Sequence, residues 1–419
     1  MIGKRFSGVL WSTLIVLLGT LALSTSTLGQ IGGLAANASG TSELAQLAVN
    51  LEPGTWAELH TEGFTWEAIA SSGDAGGNIF DYSDSATWDP NSHKLFFIGK
   101  GYAQRPWKFI TYDEATNNWS HLPDPYWFHE GENGHGYDNN AIDAKRGIFY
   151  HHKSASAEVY RYEVATDTWS MLPELPQTYL GHGTAIAYFP EMGGMIRVLA
   201  GRVHFYDEST QSWSVLADSL PMGEYHNIAE YSAGAKAMLI GGGNYGGELI
   251  HRIEADGTVT RLQDAPVGLA SAGSVVTTDP VTGDFIIISG DDQALWSYDI
   301  LQDAWRLISN NLPFDFGGGD RWGGHKTIPT PISNYGVILF AIGHNSEDGQ
   351  VFLYKHATQK ILKGDLNLDG VVDSLDQTLC IDVILGRIRD VDIVNRADVD
   401  GDGRISILDL QQMINVIFP

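Results

Sequence analysis

The chain has 419 residues, 43% of them hydrophobic, enough to bury the cores of two or three domains. Its formal net charge of −26 argues against nucleic acid or an anionic membrane surface as partner. The single cysteine, Cys380, excludes an intramolecular disulfide framework.

The N-terminus opens with Lys4 and Arg5, then runs without a charge from Phe6 to Ser24 before small residues around Thr27 to Gly29. A basic start, an apolar stretch and small residues predict a secretory signal peptide over residues 1–30. The alternative is an uncleaved anchor, because the apolar run approaches spanning length. No later segment is apolar enough to cross a bilayer, so no membrane insertion is expected after signal cleavage. The expected location is extracellular, secreted or held at the cell surface. Residues 31–51 are read as a flexible N-terminal segment.

From residue 52 to 360 the chain repeats itself. "YDEATNNWSHLP" begins at Tyr112, "YEVATDTWSMLP" at Tyr162, "YDESTQSWSVLA" at Tyr206 and "YDILQDAWRLIS" at Tyr298, each with Trp seven residues after Tyr. A degenerate copy from Ile253 carries Val259 near the Trp position. Each copy is two alternating apolar segments around a polar turn, which predicts a hairpin. Two further short apolar runs precede each hairpin, giving four strands per unit and the pattern of propeller blades. The last unit has Tyr354 but no Trp strand after it. The strand around Trp56 is expected to complete that blade and close six blades, with Trp66 as the competing closing strand. A seven-bladed ring with one unrecognised blade is the alternative. The Tyr–Trp hairpins, with the glycines of "IGGGN", "LAGR" and "IGKG", resemble kelch repeats, which implies a mostly β, six-bladed kelch-like propeller.

Propellers usually work where residues precede the inner strands. Those slots hold His135, His182, His226 and His325, in four of six positions read as equivalent, with Tyr245 and Arg202 as helpers. A neutral histidine could take a proton next to a sugar carboxylate while Arg neutralises the acid and Tyr protonates the leaving oxygen. This is β-elimination, and some polysaccharide lyases on propellers are similar. Imidazoles with a carboxylate also suit a divalent metal at the propeller mouth, and each histidine could equally be a strand cap or a sugar contact. Galactose-oxidase chemistry is disfavoured because Cys380 lies in the tail. A glycosidase is disfavoured because Asp291 and Asp292, adjacent on a strand, face opposite ways.

The tail, residues 361–419, carries two matched carboxylate loops. Asp365, Asn367, Asp369, Val371, Asp373 and Asp376 occupy positions 1, 3, 5, 7, 9 and 12 of the first. Asp398, Asp400, Asp402, Arg404, Ser406 and Asp409 occupy the same positions of the second, with Gly370 and Gly403 at position 6. Alternating oxygens around a glycine turn suit calcium, with Val371 and Arg404 offering carbonyls. Each loop leads into an amphipathic helix. Two such half-hands closely resemble a type I dockerin, which implies two Ca2+ ions and docking to a cohesin-type scaffold protein. Positions 10 and 11, often Ser-Thr in the family, are Ser374-Leu375 and Ile407-Leu408, a more apolar partner surface than usual. The chain thus reads as a propeller acting on polysaccharide and assembled by a calcium-folded dockerin. The rival reading is a non-catalytic carbohydrate- or protein-binding propeller.

Overall fold

In a computed structural model of the chain, the structure describes residues 42–70, 77–101, 106–128, 134–175, 181–270, 273–290, 292–316, 326–344, 347–356, 364–367, 372–389, 391–400 and 403–417. The expected signal peptide lies outside them. Among the described residues the strands form six four-stranded antiparallel sheets. The blades run in chain order from the sheet of Thr87–Asp89, Lys94–Gly99, Lys108–Asp113 and Asn118–His121. In the sixth, Thr55–Glu58 is the outer strand beside Gln350–Lys355, Val337–Ile342 and Thr327–Ile332. The chain is therefore mostly β and six-bladed, with a small helical region at its C-terminus.

The Tyr–Trp spacing has a direct physical cause. Tyr112 pairs across the ladder with Trp119, Tyr162 with Trp169, Tyr206 with Trp213 and Tyr298 with Trp305. Their ring centroids lie 5.4, 4.9, 5.1 and 4.4 Å apart. The turn between them ends on Asn117, Asp167, Gln211 or Asp303, each with φ near +50°. Three of these residues accept the tyrosine hydroxyl, at 2.9, 2.9 and 2.7 Å. One side chain thus holds both the left-handed turn and the aromatic pair. The degenerate copy keeps the pairing as Ile253 opposite Val259.

Closure follows the same rule with strands from opposite ends of the chain. Trp56 pairs with Tyr354, their centroids 4.6 Å apart, and packs against Phe314 and Phe340. Trp66 instead begins the short helix α2 (Trp66–Ile69), after helix α1 (Glu43–Asn50). Residues 43–50 depart from the flexible segment expected over 31–51. They form α1, capped by Ser42, whose hydroxyl accepts from Ala45 N–H, and its Leu44 and Ala48 are buried. Leu44, Ala48 and Leu51 join the core between the sixth blade (Ile328, Leu339) and the first (Leu95, Phe97). Elsewhere each core is likewise shared between neighbouring blades, as Phe189, Ile196 and Phe205 of the third pack with Met238 and Ile240 of the fourth.

The C-terminal region contains α3 (Ser374–Ile384), α4 (Val391–Ala397) and α5 (Ile407–Ile417) around a core of Leu366, Cys380, Val383, Ala397 and Met413. No helix among the described residues is long and apolar enough to cross a membrane.

Because Trp56 closes the ring, Trp56→Ala should cost about 3 kcal/mol. The check is the urea midpoint of the purified chain. A loss below about 1 kcal/mol would mean that the ring does not depend on this strand.

Candidate functional site

The mouth is built from segments that enter the inner strands. His135 and Tyr137 precede the second blade, His182 the third and Tyr225-His226 the fourth, while Tyr82 comes from the first. The ladders show that the histidines are not equivalent. His135, His182 and His226 lie eight, seven and six residues before Asp143, Phe189 and Ser232, the last paired residues of their inner strands. Their rings nonetheless gather. Tyr82 lies 4.4 Å from His135 and 5.6 Å from His226, while Tyr137 lies 5.3 and 5.5 Å from the same two rings. His182 stacks with Tyr225 at 6.3 Å, and its Nδ1 is 3.2 Å from the Ser154 hydroxyl.

Glycines make this crowding feasible. A Cβ on Gly136 would meet the Ser83 hydroxyl at 1.9 Å, and one on Gly183 would meet the His226 amide nitrogen at 2.4 Å. Three non-glycine residues here, Tyr82, Tyr137 and His226, have φ of 57, 47 and 60°. Left-handed aromatic residues are uncommon, and such strain concentrates at functional sites.

Burial, the neighbouring imidazoles and Lys100 push the pKa of His135 down to about 3. Burial alone takes His226 to about 4, while burial and Lys100 lower His182. These imidazoles are therefore neutral near pH 7. Burial and neighbouring phenols push Tyr137 well above its ordinary value, so it stays protonated. Lys100 is fully buried, its ammonium 5.2 Å from the centre of the Trp107 ring.

Along the inner strands, three carboxyl groups come together. Asp84 of the first blade accepts from the Val276 N–H of the fifth at 3.0 Å. Asp138 of the second accepts from the Ala229 N–H of the fourth at 2.7 Å and from the Ser85 hydroxyl at 2.5 Å. Burial raises Asp84 and Glu230 well above the carboxylate range, each further raised by its acidic neighbours, and carries Asp138 to about 7. These acids brace blades two apart and stay protonated at mildly acid pH.

The C-terminal loops share one hydrogen-bond plan. Asp376 accepts from the N–H groups of Leu366, Asn367 and Asp373 at 2.7, 3.2 and 2.8 Å. Asp409 accepts from those of Val399, Asp400 and Ser406 at 2.9, 3.2 and 2.8 Å. Both acids are fully buried. Ligand atoms of Asp398, Asp400 and Asp409 lie within 4.8 Å of one another, the only such acidic or histidine group among the described residues. This donor set fits a hard cation, and Gly403, with φ of 81°, supplies the turn. Asp365 and Asn367 stand at the equivalent places of the first loop, while Asp373 and Ser406 also cap α3 and α5. The first loop touches the propeller: the Asn334 amide donates to the Asn367 carbonyl at 2.9 Å, and the Lys145 ammonium lies 3.4 Å from Asp373.

His325, Asp369, Val371 and Asp402 lie outside the described residues. The Arg202 guanidinium is engaged by Asp218 at 3.1 and 3.0 Å, and Tyr245 is 61% exposed, with no described contact to the histidines. Sequence reasoning missed Lys100, Tyr137 and the buried acids. A signal was present for the acids: Asp84 and Asp138 both stand five residues before the last paired residue of their inner strands.

The protonated state of Asp138 has a measurable sign. Its folded pKa exceeds the unfolded value, so the stability it contributes is full below about pH 4 and is lost as pH rises through about 7. Asp138→Asn keeps an acceptor but does not ionise. The melting temperature of the variant minus that of the wild type should therefore become steadily more positive from pH 4 to pH 8. A difference independent of pH would sink the assignment.

No curated protein matches the chain. Among solved structures it is similar to the crystal structure of a nidogen/laminin complex, at 8% identity over 55% of this chain and 79% of that one, with a TM-score of 0.40. It is also similar to a structural-genomics protein of unknown function from Bacteroides thetaiotaomicron VPI-5482, at 13% identity over 72% and 76%, with a TM-score of 0.47. Residues 363–418 match the family model of the dockerin type I domain. The two capped loops and their helices are therefore a calcium-binding dockerin, which implies docking to a cohesin-type partner.

Proposed function

We propose that the protein is a secreted polysaccharide lyase with kelch-type blades, cleaving an acidic glycan at the propeller mouth and assembled on a cohesin scaffold through its dockerin. One observation carries this reading: neutral His135 and His226 interleave with the phenols of Tyr82 and Tyr137, near the buried Lys100 cation. The substrate carboxyl group acidifies the proton on the adjacent ring carbon, and the field of the buried Lys100 charge, felt at His135, favours an anionic glycan at the mouth without contact. His226, the less depressed of the two histidines, accepts that proton. Tyr137 gives its own proton to the glycosidic oxygen as the C4–O bond breaks and the C4=C5 double bond forms. Atoms balance without water, and the two residues exchange protons after release. The exposed rings of Tyr225 and Tyr245, 38% and 61% exposed, support the second reading, a glycan-binding propeller without turnover.

In the dockerin, we assign one calcium to each loop. Asp365, Asn367, Asp369, Asp373 and Asp376 hold the first, and Asp398, Asp400, Asp402 and Asp409 the second. The carbonyls of Val371 and Arg404 complete the sets, and Ser406 acts through water. Leu375, Ile407 and Leu408 are 37, 67 and 60% exposed, and form the apolar surface offered to the partner.

Turnover is tested on uronic-acid and neutral polysaccharides by recording new reducing ends together with ultraviolet absorbance of unsaturated products. Both should rise on a uronate polymer. His226→Asn, which tolerates the left-handed backbone, and Tyr137→Phe should each lower kcat at least about 100-fold with little change in melting temperature. Because His226 titrates near 4, kcat/KM should hold down to about pH 5 before falling. Reducing ends alone would mean a hydrolase, and binding without turnover would establish the second reading.

The Lys145 contact gives a separate expectation. Its charge opposes calcium at the first loop, and the side chain is 74% exposed, so the effect is screened. Lys145→Ala should tighten calcium binding at that loop about 2–5-fold at low salt and leave the second loop unchanged. Calorimetric titration of the full chain decides it: identical isotherms for wild type and variant would reject the coupling.

A further inference from the structure

Between the second and third blades lies a cationic side chain that the lyase reading does not use. Arg197, on strand Gly194–Leu199, is fully buried. Its Nε donates to His152 Nε2 of the second blade at 3.2 Å, yet among the described residues neither Nη1 nor Nη2 has a hydrogen-bond partner. Opposite Arg197 in the ladder stands His204, whose buried Nδ1 is likewise without a partner among the described residues. Among the described residues no carboxylate pairs with Arg197. Burial lowers its pKa only to about 10, so it remains charged near neutrality.

A guanidinium with four unused N–H bonds and no counter-charge is costly inside a protein. The two needs are separate: hydrogen-bond acceptors for the Nη groups and one negative charge. Water meets only the first. A glycan carboxylate would require a route from solvent to a side chain that has none of its surface exposed. A small monovalent anion meets both needs.

We propose that Arg197 and His204 form a buried binding site for a halide-sized monovalent anion, chloride in ordinary saline, which fastens the second blade to the third. His152 is a positioning residue here. By accepting from Nε it fixes the guanidinium plane and leaves both Nη groups directed to the anion. The neutral form of His204, held down to about pH 4 by burial and by Arg197, can present an N–H to the same ion.

The test uses the full chain at fixed calcium and fixed ionic strength, with sodium gluconate replaced stepwise by sodium chloride or bromide. The melting temperature should rise by about 2 °C or more and then saturate, since an ion that binds only the folded state stabilises it by mass action. In Arg197→Met, which keeps the length and removes the charge, the halide response should vanish. Crystals grown in bromide should show an anomalous peak within hydrogen-bond distance of Arg197 Nη1 or Nη2. If the variant does not fold, the wild-type series and the bromide peak decide. Equal melting in gluconate and chloride with no bromide peak would overturn the proposal in favour of buried water. A halide response of the same size in Arg197→Met would overturn it by placing the ion elsewhere.

Discussion

Everything at the mouth depends on the ring being closed by strands from opposite ends of the chain. Thr55–Glu58 pairs with Gln350–Lys355, and the ladder removes two sheet edges that would otherwise pair with other chains. Closure also fixes how near the inner strands come to one another. The Asp138 carboxyl of the second blade reaches an amide of the fourth, and Asp84 of the first reaches one of the fifth. Such bonds require a narrow axis. With the inner strands held this tightly, the residues just before them have nowhere to go but together, which is why three histidines at three different registers still share one aromatic cluster.

The same compression sets protonation. Burial holds His135, His182 and His226 neutral and holds Asp84, Asp138 and Glu230 protonated, so the interior sheds charge of both signs. The consequences for stability oppose one another. Histidines kept neutral lose their contribution as pH falls below about 6.5, whereas carboxyls kept protonated lose theirs as pH rises. Arg197 is the exception: a cation buried on a chain of net charge −26 marks a place where negative charge is wanted locally, against the field of the surface.

Much of the architecture was legible because the blade repeat is written in large residues. Tyr and Trp seven apart meet across a hairpin, so four copies were enough to set strand number, and Trp56 could be recognised as the missing partner of Tyr354. The calcium loops were legible for a similar reason: alternate oxygens around a glycine have few other uses. The mouth was legible only in outline. His135, His182 and His226 stand out by type, but their register depends on where each inner strand begins to pair, and sequence does not mark that point. Lys100 lies among the glycines of "IGKG" with nothing in the sequence to mark its burial, and Arg202, read as a helper, is engaged by Asp218. Helix α1 was hidden because eight residues carry little periodic signal, and its stability comes from the seam between the first and sixth blades.

The dockerin contacts bear on how the two halves of the protein cooperate. Lys145 and Asn334 both lie in turns that follow inner strands, whereas the histidines precede them. The first calcium loop therefore meets the propeller at the end opposite the mouth. Asn334 is itself held firmly, since its carbonyl oxygen accepts from the Trp88 indole at 2.6 Å and its amide also reaches the Pro90 carbonyl. A partner bound to the exposed Leu375, Ile407 and Leu408 would be joined to the blades through this buried asparagine rather than through the peptide linker alone. The mouth would then face away from the scaffold. On the proposed lyase reading that orientation matters more than affinity: a polymer much larger than the protein must reach the mouth while the dockerin is engaged.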